Sequence, residues 1–336
     1  MKQICFAVLG LLWAASAHAE APVPVTVDNY NRAESDASFA GVVKAGAFAK
    51  LAHNRELKPL DQQTVVRPNR DTLYSEGVFD LDAGPVTITL PDAGERYMSM
   101  ELIDQDNYVP AFYYGGGSYT LTKENVGTRY VLVLIRILID PNNPEDIEQV
   151  HGLQDQISVS QGSIGKFEVP NWDHDSLLKV RNALLILGEG INSRNMFGAQ
   201  GEIDPIKHLI GSAVGWGGAP EKDALYIATT PAKNDGTTIH TLTVPANVPV
   251  DGFWSISLYN AEGYFQKNEF DAYSLNNITS QKNPDGTVTV QFGGCDGRIP
   301  NCLPIMNGWN YTVRLYRAHP NVLDGSWKFP EAQPVG

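Results

Sequence analysis

Residues 74–103 read YSEGVFDLDAGPVTITLPDAGERYMSMELI, and the fold is decided here. Three β-type runs, 74–81, 86–90 and 96–103, are cut by Gly84-Pro85 and by Pro91-Asp92-Ala93-Gly94. Such punctuation marks strands, since Pro denies the ladder a donor and Gly accepts turn dihedrals that other residues resist. Further runs follow at 119–121 and 130–139, after Gly115-Gly116-Gly117. The texture returns from residue 237, at 238–244, 252–259, 287–292 and 310–316, the third announced by Asn283-Pro284-Asp285-Gly286. Many short, regularly spaced strands predict a sandwich or barrel in each half.

Two stretches break the pattern. Residues 30–53 set Phe39, Val42, Val43, Phe48 and Leu51 near one helical face, which predicts an N-terminal helix. Residues 175–191 carry Leu177, Leu178, Val180, Leu184, Ile186 and Leu187, with Asp173 or Asp175 placed as cap. A glycine-rich run, 211–218, then leads toward Tyr226. The expected plan is a leader at 1–19, a helical segment at 20–60 and a first β domain at 61–172. A helical and Gly-rich connection at 173–236 and a second β domain at 237–336 complete it.

The leader expectation rests on Lys2, the apolar run 4–13 and the small-x-small pattern Ala17-His18-Ala19. That run is too short to span a bilayer, which takes about 20 residues. The best later run, 130–139, contains Arg136. A periplasmic or secreted protein cut after Ala19, without membrane insertion, is expected. Cys5 would leave with the leader, so Cys295 and Cys302 remain. Across a Gly/Pro loop in an oxidising compartment they are expected to form a disulfide. Zinc would need more ligands, and a redox role favours a tighter spacing.

Lys and Arg total 25 against 38 Asp and Glu, a formal charge of −13. With no basic cluster, nucleic acid and anionic lipid are disfavoured as partners. No G-x-S-x-G, P-loop or G-x-G-x-x-G motif is present, and the histidines are scattered. Asp173-His174-Asp175 reads more simply as a helix cap than as a metal site. No metal and no cofactor are expected.

Two constellations carry chemistry. In Asn69-Arg70-Asp71-Thr72-Leu73-Tyr74-Ser75, alternation sets Asn69, Asp71, Leu73 and Ser75 against Arg70, Thr72 and Tyr74. The second gathers Trp254, Tyr259, Asn260, Tyr264, Trp309, Tyr311, Arg314, Tyr316 and Arg317. Arg314 lies mid-strand, where it must meet solvent or a partner such as Asp251. A site reading makes Asp71 the acid or base. Asn69, Arg70, Tyr74 and Arg314 then hold a small sugar-like or carboxylated ligand, and Trp254 and Tyr259 wall it. The rival reading makes the same groups a brace inside a structural or interaction module.

The run Val66-Arg67-Pro68-Asn69-Arg70-Asp71-Thr72-Leu73-Tyr74-Ser75, with Asp80-Leu81, Gly84-Pro85-Val86 and Arg96-Tyr97, resembles domain of unknown function 1254. Gly215-Trp216-Gly217-Gly218, Asp251-Gly252-Phe253-Trp254-Ser255, Cys302-Leu303-Pro304 and Arg314-Leu315-Tyr316-Arg317 resemble the partner domain of unknown function 1214. The resemblance implies a mainly β protein: two jelly-roll-like β-sandwich domains with an N-terminal helix and a helical connecting segment. It implies no activity. Many relatives carry Trp at the position of Cys302, which suggests a disulfide replacing aromatic packing in this chain.

Overall fold

The computed structural model describes residues 21–63 and 65–335, so the expected leader lies outside the described residues. The first half runs α1 (Tyr30–Lys44), β1 (Ala52–His53), β2 (Thr72–Asp80), β3 (Val86–Leu90), β4 (Met98–Asp104) and β5 (Ala111–Tyr114). It continues with β6 (Gly117–Leu121), α2 (Lys123–Val126), β7 (Tyr130–Leu138), α3 (Pro144–Gln156) and β8 (Ser158–Gln161). After α4 (His174–Leu187) and α5 (Pro205–Gly215) come β9 (Ala224–Thr229), β10 (His240–Val244), β11 (Trp254–Tyr259) and β12 (Ser274–Asn276). The chain closes with β13 (Val288–Phe292), β14 (Cys302–Leu303), β15 (Asn310–Tyr316), α6 (Pro320–Leu323) and β16 (Gln333–Pro334). The fold is mainly β.

Each half stacks two sheets. In the first, β1-β2-β7-β4-β5 packs on β6-β3-β8; in the second, β12-β11-β15-β9 packs on β14-β13-β10-β16. β3 shows the cause. Val86, Ile88 and Leu90 point into the core, while Thr87 and Thr89 face outward and pair hydroxyls with Thr120 and Ser118 at 3.0 and 2.9 Å. Across the core stand Phe79, Met100, Val133 and Ile135. The second core holds Leu242, Val290 and Phe292 against Ile256, Val313 and Trp309. Burying such side chains is worth roughly 1.5–3 kcal/mol each.

β4 and β15 are buried along their whole length, on both faces. One-sided strands alternate; these do not, because each faces its own core on one side and something else on the other. For β7 and β4 that something is partly α1, whose Phe39, Val42 and Val43 cover Val78, Ile103 and Leu132. For the rest it is the second sandwich.

The expected elements and the observed ones differ in places. The N-terminal helix stops at Lys44, because the chain turns at Gly46 and Ala49, both at positive φ, and Phe48 bridges Val78 of β2. β1 therefore joins the first sheet ahead of residue 61. β9 falls inside the expected connection, yet it pairs with β15 and sends Leu225 into the second core. α3 is amphipathic only over Ile147, Val150 and Leu153, too short a stripe to stand out in a polar segment. Its Asn143 cap and Pro144 at the first turn were the available signals. The tail is anchored to the second sandwich: β16 pairs with β10, and Phe329 packs on Trp254.

Candidate functional site

The outer face of β2-β7-β4-β5 meets the outer face of β12-β11-β15-β9, and both faces are polar. Register aligns Tyr74, Arg136 and Ser99 in one row of the first sheet. It aligns Tyr226, Arg314, Ser255 and Asn276 in one row of the second. The lead-in to β2, residues 67–71, lies between them. A buried polar layer thus separates two apolar cores.

Arg314 is 3% exposed and donates four hydrogen bonds. Its Nη1 donates to Ser257 Oγ at 2.8 Å, and its Nη2 to Tyr259 OH and the Arg67 carbonyl at 2.8 Å and to the Pro68 carbonyl at 3.3 Å. Tyr259 OH donates in turn to Pro68 O at 2.7 Å. Asp71 is 0% exposed and accepts from Asn276 Nδ2 at 3.2 Å. Burial pushes its carboxyl up, while Arg314, Ser255 and Asn276 pull it back. Burial likewise pushes Arg314 down, but Tyr259, Tyr316 and Asp71 outweigh it and hold the guanidinium charged. Asn69 Nδ2 spans the junction, donating to Tyr74 OH at 3.1 Å and Tyr316 OH at 3.0 Å.

Asn69, Asp71, Tyr74, Tyr259 and Arg314 therefore come together. Arg70 and Trp254 do not. The Arg70 guanidinium lies over the Phe265 and Tyr273 rings and donates to Lys58 O, at the surface side of the lead-in. Trp254 sits on the opposite face of β11, inside the second core. The period-two reading also misplaces Asp71, because the strand begins only at Thr72. Leu73 enters the first core while Asp71 turns to the junction beside Asn276. Asp251, offered as a partner for Arg314, pairs with Arg317 and His319 instead.

Sequence reasoning missed a second charged pair. Arg136 of β7 donates to Glu101 of β4 at 2.5 Å, and its guanidinium lies 5.6 Å from the Tyr74 ring centre. Burial pushes the Glu101 carboxyl up against the pull of Arg136. Each is a lone charge inside an apolar strand, the same signal that singled out Arg314. Around them Tyr97 packs edge-on against Tyr114, Phe253 and Tyr316, and Tyr114 OH donates to Asp223 at 2.9 Å. Asp71 Oδ2, Glu101 Oε1, Tyr97 OH, Ser99 Oγ, Ser255 Oγ and Thr312 Oγ1 are buried without a hydrogen-bonding partner.

A cleft of about 350 Å³ opens at one end of the junction. Tyr97 and Leu138 form its floor, Arg96, Asp140 and Asp146 one wall, and Gly252, Asn277 and Ile278 the other. Arg96 is tied to Asp146 and to Leu138 O. A second hollow of about 20 Å³ lies by Asn69, Arg70 and Phe265. Asp71, Tyr74, Tyr259 and Arg314 line neither. Among the described residues no group of three or more His, Cys, Asp or Glu is placed to hold a metal ion.

Two β-sandwiches sharing a buried polar face define the class of protein. Residues 48–161 match the family described as Protein of unknown function (DUF1254), and residues 224–320 the one described as Protein of unknown function (DUF1214). The two matches fall one in each half of the chain. Its fold is similar to the VPA0106 protein of Vibrio parahaemolyticus, with a TM-score of 0.71 at 18% identity over 92% of this chain and 98% of that one. It is also similar to a putative uncharacterized protein from Burkholderia cenocepacia, with a TM-score of 0.54 at 13% identity over 91% and 86% of the two chains. No curated protein matches the chain.

Proposed function

We propose that this protein is exported and binds a small polar compound at the junction of its two sandwiches. The compound would enter by the cleft floored by Tyr97, and the Arg314–Asp71 and Arg136–Glu101 groups would form the wall behind it. The observation that carries this reading is a cleft of about 350 Å³ at the junction whose lining includes one buried, unpartnered oxygen from each sandwich, Tyr97 OH and Asn277 Oδ1. Ligand pockets favour such junctions, and volumes of that size suit a small molecule. Asp71 is then an orienting group rather than an acid or base working in open solvent. Export is supported by the residue 4–13 apolar run and by the Cys295–Cys302 disulfide.

A brace without ligand is the second reading. It is favoured by Arg314 and Tyr259, whose hydrogen bonds go entirely to groups of this chain. The two separate with Ile278→Trp, which fills the cleft from an exposed position and leaves the polar layer intact. Isothermal titration of the mature protein against a small-metabolite panel should give a ligand that the variant no longer binds. Equal affinity in both proteins removes the cleft from the proposal, and no ligand at all leaves the brace.

A further inference from the structure

α4 carries more apolar surface than its own packing uses. Leu177 and Leu184, seven residues apart, form its inner stripe against Tyr30, Ala33, Met196 and Phe197. A helix seated in this way is expected to be polar on its other faces. Its last turn is apolar all round instead: Leu185, Ile186 and Leu187 are 40%, 67% and 63% exposed. Exposed Ile191 follows just beyond the helix end, and α5 adds exposed Ile206 and Val214 with Ile210 midway between them. Gly188 joins the two helices, since a Cβ there would meet the Val214 and Ile210 methyls at 2.6 and 3.1 Å. This surface holds six of the fourteen large apolar side chains exposed among the described residues, a concentration rather than the scatter of an ordinary surface.

Its extent and its charge point to a second copy of the chain. Six side chains exposed to this degree present on the order of 500 Å² of apolar surface, near the upper end of what a monomer leaves open. A stable interface takes roughly 800 Å² from each partner, so the patch would supply the apolar centre and its polar surroundings the rim. The whole chain carries −13, which sets two copies against one another. Residues 174–215 are neutral, with four Lys or Arg against four Asp or Glu. On the outer side of α4, Lys179 lies seven positions before Ile186 and shares its face, and Glu189 follows three positions after it. Both are exposed, and neither forms an ion pair among the described residues. Two α4 helices crossing antiparallel about a two-fold axis level with Leu184 set Lys179 of each copy opposite Glu189 of the other. Ala183, small and exposed, lets the helices approach. We propose that the α4–α5 face joins two copies of this chain in a two-fold dimer, with Ile186, Leu187 and Ile206 in its apolar centre and reciprocal Lys179–Glu189 pairs at its rim.

Sedimentation equilibrium of the protein should return the mass of two chains, and Ile186→Glu and Ile206→Glu should each return the mass of one. Circular dichroism should show both variants folded as the parent is, because both side chains are exposed. Lys179→Glu alone should weaken association about tenfold, since a two-fold interface repeats each change, and adding Glu189→Lys should restore it. The mass of one chain at every concentration overturns the proposal, as does a dimer that both Ile→Glu variants leave intact. A dimer lost with Ile186→Glu but unmoved by Lys179→Glu overturns the antiparallel pairing. A single chain that floats with phosphatidylcholine vesicles, and leaves them on Ile186→Glu, assigns the patch to a lipid surface and overturns the dimer.

Discussion

Arg314 Nη2 donates to the main-chain carbonyl of Arg67 at 2.8 Å, across 247 positions of sequence. Arg67 itself sits at φ 53°, and its N–H donates to Gly263 O at 2.8 Å. The second sandwich thus grips the chain just before it becomes β2, the second strand of the first half's five-stranded sheet. A side chain chosen for one half finishes the backbone hydrogen bonding of the other.

Removing that grip should be expensive. Arg314→Leu leaves the Arg67 carbonyl without this donor and the buried Asp71 carboxylate without its counter-charge. A loss of about 3–5 kcal/mol is expected in urea denaturation. Arg314→Lys keeps the charge but not the planar fork, so its loss should be smaller and still measurable.

Asp104 governs a separate, pH-dependent contribution. Burial, opposed by the N–H groups of Tyr108 and Asp106, raises its carboxyl to about 7. The folded protein then holds a proton that the unfolded chain, near about 3.9, releases. This contribution is fully present below pH ~4 and is lost as pH rises through about 7. Asp104→Asn keeps an acceptor for both N–H groups. The variant should be about 1–3 kcal/mol more stable at pH 8 and nearly unchanged at pH 4. Denaturation midpoints at the two pH values check the sign.

Gly77 in the middle of β2 permits a close approach of backbones. A Cβ there would lie 2.3 Å from the Lys50 carbonyl oxygen. Main chain cannot swing aside as a long side chain can, so Gly77→Ala should cost more than about 2 kcal/mol and loosen β1 from β2. Hydrogen exchange at the Ala52 and His53 amides reads that loosening directly.

The Cys295–Cys302 disulfide closes a loop with a sequence separation of 7. On chain entropy the double Cys→Ser variant should lose about 2.5 kcal/mol. Alkylation of the unreduced protein should modify neither Cys295 nor Cys302, as mass spectrometry would record.

Strand existence was legible because punctuation and alternation are local properties. β3 and β15 fall on the expected residues, and the disulfide follows from two cysteines across one loop. β9 and α3 were not legible, since their apolar stripes are short and become meaningful only against β15 and the first core. The candidate site divides the same way. Arg314 announced itself as a charge within an apolar strand, and Glu101 and Arg136 carried the same sign unread. Trp254 and Arg70 look equally suited to a ligand on paper, but a one-position change of face sends one to a core and the other to the surface.

A mainly β chain in two halves, its turns and its cysteine pair can be read from the residues in order, because each depends on neighbours along the chain. That the outer faces of two sandwiches are pressed together, and so which polar residues are buried and paired, emerges from the folded molecule alone. Hydrogen-bond satisfaction is a property of partners, and here the partners lie some two hundred positions apart.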